Sequence, residues 1–351
     1  MPCVTRRRAL GLGTAFTAAA VLPAALTFAA IAPRFRVIID NDFCGDPDGL
    51  FQLAHHMLSP SVSIPLIVGS HIHKGESWDG ATLQASDSAA KAAELLRLVG
   101  TSELTILPGS EVAIGDGRQS PGSHATAAII AEAMRSDRSL PLFYAAGAGL
   151  TELALAYLAE PRIGRRMRLV WIGGNDPSRQ PNQGEPGTEY NFTIDRIAAQ
   201  IIFNDSDIEI WQVPRETYRQ MLFSNAELEQ VASFGPLGRF LKDQVDRIAG
   251  AGSRFGSLGE TYILGDSPLV TLTALQSSFE ADPSSSSYTT LRTPRIMGGG
   301  RFEVNRNGRP MRVYTSIDAR LTFSDMVAKF RQLGYREAAN QSAKAAFSER
   351  A

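Results

Sequence analysis

The chain has 351 residues, enough for one large domain or two small ones, and its 44% hydrophobic composition excludes a disordered protein. Lysine plus arginine number 35 against 36 aspartate plus glutamate, and the net charge of −1 offers no broad positive field, which argues against a nucleic-acid partner. Only Cys3 and Cys44 occur, and Cys3 lies in a segment expected to be removed, so a disulfide framework is excluded.

Residues 1–33 read as an export signal peptide. Thr5-Arg6-Arg7-Arg8 supplies a basic start, Ala15 to Ala32 an apolar, alanine-rich stretch, and Ala29 to Ala32 the small residues expected near a cleavage point. The arginine pair resembles a twin-arginine signal, which implies export of an already folded chain. The competing reading is an uncleaved membrane anchor, for which the apolar run is near the lower limit of about 17 residues. The expectation is a periplasmic or secreted protein of one domain, residues 34–351, with no stable membrane insertion after cleavage.

Arg36-Val37-Ile38-Ile39-Asp40 predicts a short buried strand ending in a cluster of acids. Apolar residues at helical spacing from Leu50 to Leu58 and a second apolar run, Ile64 to Ser70, complete a strand, helix, strand unit. The alternation continues with helices near Ser86 to Val99, Ala125 to Met134 and Glu152 to Leu158. Strands are expected at Leu104 to Leu107, Leu142 to Ala145 and Arg168 to Gly174. A loop over Asp176 to Thr188, a helix near Ile197 to Phe203 and a strand at Ile208 to Val213 follow. Beyond Ser224 the pattern is helical, Ser284 to Thr290 reads as a serine-rich loop, and Met311 to Tyr314 as a terminal strand. The fold class is therefore α/β, an open, mostly parallel sheet flanked by helices, Rossmann-like in kind. In such sheets ligands bind beyond the carboxyl ends of the strands, which directs attention to the loops after Asp40, Gly69, Ala145 and Gly174.

The densest chemical signal is Asp40-Asn41-Asp42-Phe43-Cys44-Gly45-Asp46-Pro47-Asp48, with four carboxylates in nine residues directly after a buried strand. Mutual repulsion asks for a counter-ion, and oxygen ligands on a loop suit a hard cation, calcium before magnesium, with an acid left over for substrate hydroxyls. A solvated acidic turn is the plainer alternative. The glycine and proline that shape the turn, and the apolar strand before it, favour a functional edge. Cys44 within this loop is expected to pack against a neighbour rather than to bind metal.

This strand and its Asp40-x-Asp42-x-x-x-Asp46-x-Asp48 pattern resemble the N-terminal signature of the inosine-uridine type nucleoside hydrolases. Further landmarks fall in the same order. Val68-Gly69-Ser70 lies where the family has a second strand ending in a small polar residue. Gly147-Ala148-Gly149-Leu150-Thr151-Glu152-Leu153-Ala154 resembles its Gly-Pro-Leu-Thr-Asn-Leu-Ala turn, and Trp171-Ile172-Gly173-Gly174 its Met-Gly-Gly strand end. Thr188-Glu189-Tyr190-Asn191-Phe192 and Gly265-Asp266-Ser267-Pro268-Leu269 resemble the ribose-holding and calcium-binding stretches. The likeness covers about Arg36 to Leu275.

The resemblance implies hydrolysis of the N-glycosidic bond of ribonucleosides to base and ribose, with a calcium-bound water as nucleophile. By it, Asp42 would be both metal ligand and catalytic base, Asp266 a ligand from the far side, and a main-chain carbonyl near Gly147 a further ligand. Asp48 would hold the ribose 2′- and 3′-hydroxyls. Ser70, Glu189 and Asn191 would complete substrate binding, and Asp40 would support the loop from behind. Two departures stand out. The family usually has adjacent aspartates where this chain has Asp48-Gly49, the second being a metal ligand, and Asp46 is the candidate substitute. Gly265 stands where some members carry a histidine thought to protonate the leaving base, which leaves His71, His73, His124, Tyr190, Tyr262 and Trp78 as alternatives. These departures make a catalytically degenerate, metal-dependent nucleoside or sugar binding protein the second expectation, and an enzyme acting on a different N-riboside the third. Purine against pyrimidine preference stays open, as does oligomeric state, although the family is commonly oligomeric.

Overall fold

The computed structural model describes residues 31–73, 76, 84–101, 103–115, 122–179, 189–250, 259–277 and 285–348, residue 102 excepted. Strand and helix alternate from the start: β1 (Phe35–Asn41), α1 (Asp48–Met57), β2 (Val62–Gly69), α2 (Gln84–Val99), β3 (Ile106–Pro108), α3 (His124–Met134), β4 (Leu142–Ala146), α4 (Thr151–Ala159) and β5 (Met167–Ile172). Next come the short helices α5 (Tyr190–Ile194) and α6 (Arg196–Gln200), a π-helical turn at Ile201–Asp205, and β6 (Glu209–Val213). The remainder comprises α7 (Arg215–Tyr218), β7 (Leu222–Ser224), α8 (Asn225–Ala232), α9 (Pro236–Gly250), β8 (Thr261–Ile263), α10 (Pro268–Thr273), β9 (Ser287–Arg292), β10 (Arg295–Ile296), β11 (Phe302–Glu303), β12 (Pro310–Ser316) and α11 (Ala319–Ser348). Residues Ala32–Ala351 form one compact unit.

The central sheet has eight strands in the order β3-β2-β1-β4-β5-β6-β12-β9. All its pairings are parallel except that of β9 with β12. Chain order runs outward from β1 toward β2 on one side and toward β4 on the other. A crevice therefore opens beyond the carboxyl ends of β1 and β4, the point where such sheets take ligands. Strand alternation divides the core into two layers. Val37, Ile39, Phe143 and Ala145 pack with Phe51, Leu53, Leu269 and Leu272, while Ile38, Tyr144 and Leu169 pack with Ile129, Leu153 and Ile202. Each fully buried large apolar side chain contributes roughly 1.5–3 kcal/mol, and the strands that carry the crevice are built from them.

Local signals set the element ends. Ser123 and Thr126 form a capping box at α3, and Ser224 and Glu227 form another at α8. At the end of β2, a Cβ on Gly69 would lie 2.4 Å from the Ala89 nitrogen and 2.7 Å from the Ala85 carbonyl oxygen. Glycine at 69 is thus what lets α2 pack onto the strand end.

Two expectations need correcting. The segment Ser284 to Thr290, expected as a loop, enters β9 at Ser287, because Tyr288, Thr289, Thr290 and Leu291 suit an edge strand and pair antiparallel with β12. The Arg312 guanidinium clips that edge, 4.4 Å from the ring centres of both Trp211 and Tyr288. The chain also continues past β12 into α11, which the sequence pattern did not indicate. Residues 1–30 of the expected signal peptide lie outside the described residues, as do Trp78 and Thr188. Among the described residues no helix is long and apolar enough to cross a membrane.

Candidate active site

Three chain segments meet at the crevice: the loop from β1 to α1, the end of β4, and the turn between β8 and α10. At the end of β1 alternation sends Asp40 and Asn41 to opposite faces. Asp40 enters the layer of Tyr144 and accepts hydrogen bonds from the Ser70 and Tyr144 hydroxyls. Asn41 faces the α1 layer, where its Nδ2 donates to Asp266 Oδ2 at 2.8 Å and to Gln52 Oε1 at 3.3 Å. The loop then tightens, with the Gly45 N–H on the Asp42 carbonyl at 2.7 Å. Asp46 Oδ1 accepts from the Tyr262 hydroxyl at 2.5 Å and from the Asp48 N–H at 3.2 Å. Asp48 opens α1, and its Oδ2 accepts the Asp266 N–H at 3.1 Å.

These carboxylates lack a counter-charge. Among the described residues, no arginine or lysine forms an ion pair with Asp40, Asp42, Asp46, Asp48 or Asp266. Burial, then the charges of Asp266 and Asp46, pushes Asp42 well above the usual carboxylate range. Asp48 is raised for the same reasons, burial first and Asp266 second. Burial lifts Asp266 to about 8 despite the Asn41 hydrogen bond that opposes it. Asp40 is pushed up to about 7 by burial, against the hydrogen bonds of Ser70 and Tyr144.

The donor set suits calcium in its chemistry: oxygen ligands, anionic, gathered on a turn without a protein cation. Among the described residues no three His, Cys, Asp or Glu side chains converge into a closed metal cage. Each carboxylate leans instead on a protein donor, Tyr262 for Asp46, the Asp266 backbone for Asp48, and Asn41 for Asp266. Gly147 sits against this group, since a Cβ there would lie 2.4 Å from Asn41 Nδ2 and 2.6 Å from Asp266 Oδ2. The fit to a hard cation is thus one of charge and ligand type.

The residues expected to hold the sugar are gathered near the crevice, where Glu189, Ser70 and the Asn191 amide nitrogen also make hydrogen bonds within the fold. Glu189 caps α5 and accepts four hydrogen bonds, from the N–H groups of Gly174, Asn191 and Phe192 and from the Tyr218 hydroxyl, at 2.7 to 3.1 Å. The Asn191 Nδ2 donates to the carbonyls of Gly147 at 2.9 Å and Ile172 at 2.8 Å, which ties the ends of β4 and β5 together. The Ser70 hydroxyl is spent on Asp40. Asp42 stands apart: burial and the charges of Asp266 and Asp46 act on it, and among the described residues no other side chain donates a hydrogen bond to its carboxylate.

The candidate leaving-group acids divide in the same way. His71 is buried, with Nδ1 at the Ile72 carbonyl (2.9 Å) and Nε2 at the Thr151 hydroxyl (3.1 Å). Half-buried His73 meets Thr193 Oγ1 at 2.9 Å and the edge of the Tyr190 ring, whose hydroxyl bonds Glu76 at 2.9 Å. Burial lowers its pKa. Tyr262 bonds Asp46, and His124 is exposed at the start of α3. Cys44 packs as expected, its thiol on the Gln84 carbonyl and accepting from Ser88. Sequence reasoning missed Asn41, Gln52, Tyr144 and Tyr218 as partners of the acids. Only Asn41 carried a signal, its place between two aspartates.

The sheet order, the crevice at β1 and β4 and the acid loop define an open α/β fold with an acidic site at its strand-order reversal. The model of the inosine-uridine preferring nucleoside hydrolases matches residues 37–347, and the chain belongs to that family. Solved structures similar to it include a plant nucleoside hydrolase, at 18% identity, covering 85% of this chain and 99% of that one with a TM-score of 0.66. A purine-preferring ribonucleoside hydrolase from Gardnerella vaginalis matches at 19% identity with the same coverage and a TM-score of 0.63. An inosine-uridine preferring nucleoside hydrolase from Bacillus anthracis matches at 16% identity, with the same coverage and a TM-score of 0.59. At these identities the structural likeness speaks for the fold.

Proposed function

We propose that the protein hydrolyses the N-glycosidic bond of a ribonucleoside to free base and ribose, outside the cytoplasm after export, in support of nucleoside salvage. The observation that carries this reading is the meeting of Asp42, Asp48 and Asp266 at the strand-order reversal of a family member's sheet, with no ion pair to neutralise them among the described residues. Asp42, Asp46, Asp266 and the Gly147 carbonyl would hold calcium, which would supply Lewis-acid activation of the attacking water. Asp42 takes a proton from the attacking water. Asp48 accepts hydrogen bonds from the ribose diol. The carboxylate field stabilises the oxocarbenium-like sugar as the base departs. Glu189 and Asn191 act one step back, fixing the β4 and β5 loop ends against which the sugar lies.

The test is release of reducing sugar from a panel of ribonucleosides by the mature protein, with and without a calcium chelator, beside Asp42→Asn. Chelator-sensitive release that disappears in Asp42→Asn supports the reading. The absent side chain at Gly49 favours a second one, a metal-dependent nucleoside or sugar binding protein without catalysis. Binding of nucleoside and calcium with no release from any member of the panel would select it.

A further inference from the structure

Position 49, the second residue of α1, faces Asn41 but has no side chain. The space that its Cβ would take is filled. An ideal Cβ on Gly49 would lie 2.8 Å from Asn41 Nδ2, 2.9 Å from Asn41 Cγ and 3.1 Å from Asn41 Oδ1, so the whole amide of Asn41 stands where that side chain would go. The same amide donates to Asp266 and accepts the Asp42 N–H at 2.9 Å, spanning two of the acids.

A buried relay decides which face the amide shows. The Thr273 hydroxyl donates to the Leu269 carbonyl at 2.6 Å, so at 2.8 Å it accepts from His56 Nε2. His56 Nδ1 is then the acceptor for Gln52 Nε2, and Gln52 Oε1 is left to accept from Asn41 Nδ2. Each donation points away from the acids, ending on a backbone carbonyl of α10. Asn41, Gln52, His56 and Thr273 are all fully buried, so water does not compete for these bonds. The amide assignment follows from the network, with the nitrogen toward Asp266 and the oxygen toward the Asp42 backbone.

We infer that Asn41 is a positioning residue that replaces a side chain at position 49, its relay-locked N–H competing with a bound cation for Asp266. The inference rests on reading the acids as a cation and sugar site. A carboxylate at 49 would add charge and a ligand; the amide instead adds a donor, which holds Asp266 when no cation is present and must be displaced when one binds. The protein thereby gives up cation affinity for a site that keeps its shape when empty of cation.

Calcium titration calorimetry and thermal melting on the mature protein test this with Asn41→Ser, Gly49→Asp, Gly49→Asp with Asn41→Ser, and Gln52→Leu. The double variant is expected to bind calcium at least about tenfold more tightly than wild type, since a ligand is gained and its space cleared. Gly49→Asp alone is expected to gain nothing, because Asn41 blocks it. Asn41→Ser and Gln52→Leu should each melt lower without calcium and show a larger rise in melting temperature on adding it. Gly49→Asp alone binding as tightly as the double variant overturns the inference, as does a double variant no tighter than wild type. Should Gly49→Asp fail to fold, Asn41→Ser, Gln52→Leu and the double variant still decide. None of these readouts needs turnover: a wild type that releases no ribose would sink the proposed activity and leave this comparison standing.

Discussion

Replacing Gly147 with alanine tests the packing of the site most directly. The new Cβ would lie 2.4 Å from Asn41 Nδ2 and 2.6 Å from Asp266 Oδ2, where ordinary contacts are about 3.5 Å or longer, so one or both groups must move by about 1 Å. Neither has room, since both are buried among α1, α10 and β4. Separating Asn41 from Asp266 removes a hydrogen bond to an acid, worth about 1.5–3 kcal/mol, and the overpacking adds about 1–3 kcal/mol. A loss of about 3–5 kcal/mol by urea denaturation is expected, a large share of the stability of any domain. Calcium affinity should fall with it, because the new Cβ displaces Asp266 itself and not only its Asn41 partner. Gly69→Ala is the matched control, because its Cβ meets the backbone of α2 at 2.4 Å and touches no acid. That variant should lose comparable stability while its folded fraction binds calcium normally. A Gly147→Ala protein destabilised by less than about 1 kcal/mol with unchanged calcium binding would refute the placement of Asn41 and Asp266.

Asp42→Asn should lower kcat for ribose release by about 10²- to 10⁴-fold with a far smaller change in KM, measured by reducing-sugar assay; a loss confined to KM would remove Asp42 from the chemical step. Without calcium, stability should fall as pH rises from the ordinary 3.8 through the folded values of about 7 and about 8. The folded chain keeps protons on Asp40 and Asp266, raised to about 7 and 8, which the unfolded chain has lost above the ordinary 3.8. Their contribution is full below 3.8 and disappears as pH rises through the folded values, so a melting temperature that climbs over this window contradicts it. Tyr144→Phe strips one of two hydroxyl donors from buried Asp40 and should destabilise by about 1–3 kcal/mol in urea melts. No measurable loss would place Asp40 in contact with water instead.

Much of this was legible in the sequence because it depends on period and order. The apolar runs at Val37 to Ile39 and Leu169 to Ile172 could only be buried parallel strands, and strands alternating with helices imply a sheet whose carboxyl edge carries the loops. The acids of the first loop therefore had a position before they had a role. Hidden from the sequence were the interactions that close in space but not along the chain. Tyr144 reads as one more apolar strand residue, yet its hydroxyl reaches Asp40, 104 positions away. Glu189 and Asn191 read as sugar ligands, and no spacing rule could foretell that the Glu189 carboxylate and the Asn191 amide nitrogen also bond backbone groups. The serine run failed for a different reason: composition marks a loop, but the edge of β12 offered unpaired backbone groups that Tyr288 to Leu291 could satisfy.

The placement of Asn41 connects the site to the export proposed for residues 1–33. At the strand end Asn41 faces the opposite layer from Asp40, here the α1 side that also carries Gly49. Its side chain and that of position 49 therefore compete for one volume, and the chain can carry bulk at one of them. With the bulk at 49 as a carboxylate, a fifth acid would join four that already repel, and the cation-free fold would bear that cost. With the bulk at 41 as an amide, a donor replaces that repulsion, and the fold can form before calcium is met. A chain exported in folded form has to assemble before it reaches its calcium, so the proposed route favours the second arrangement. Refolding of the mature protein in excess chelator should accordingly reach the native far- and near-ultraviolet circular dichroism, and the Gly49→Asp with Asn41→Ser variant should need calcium to do so. Equal refolding of the two in chelator would disconnect the amide from the route.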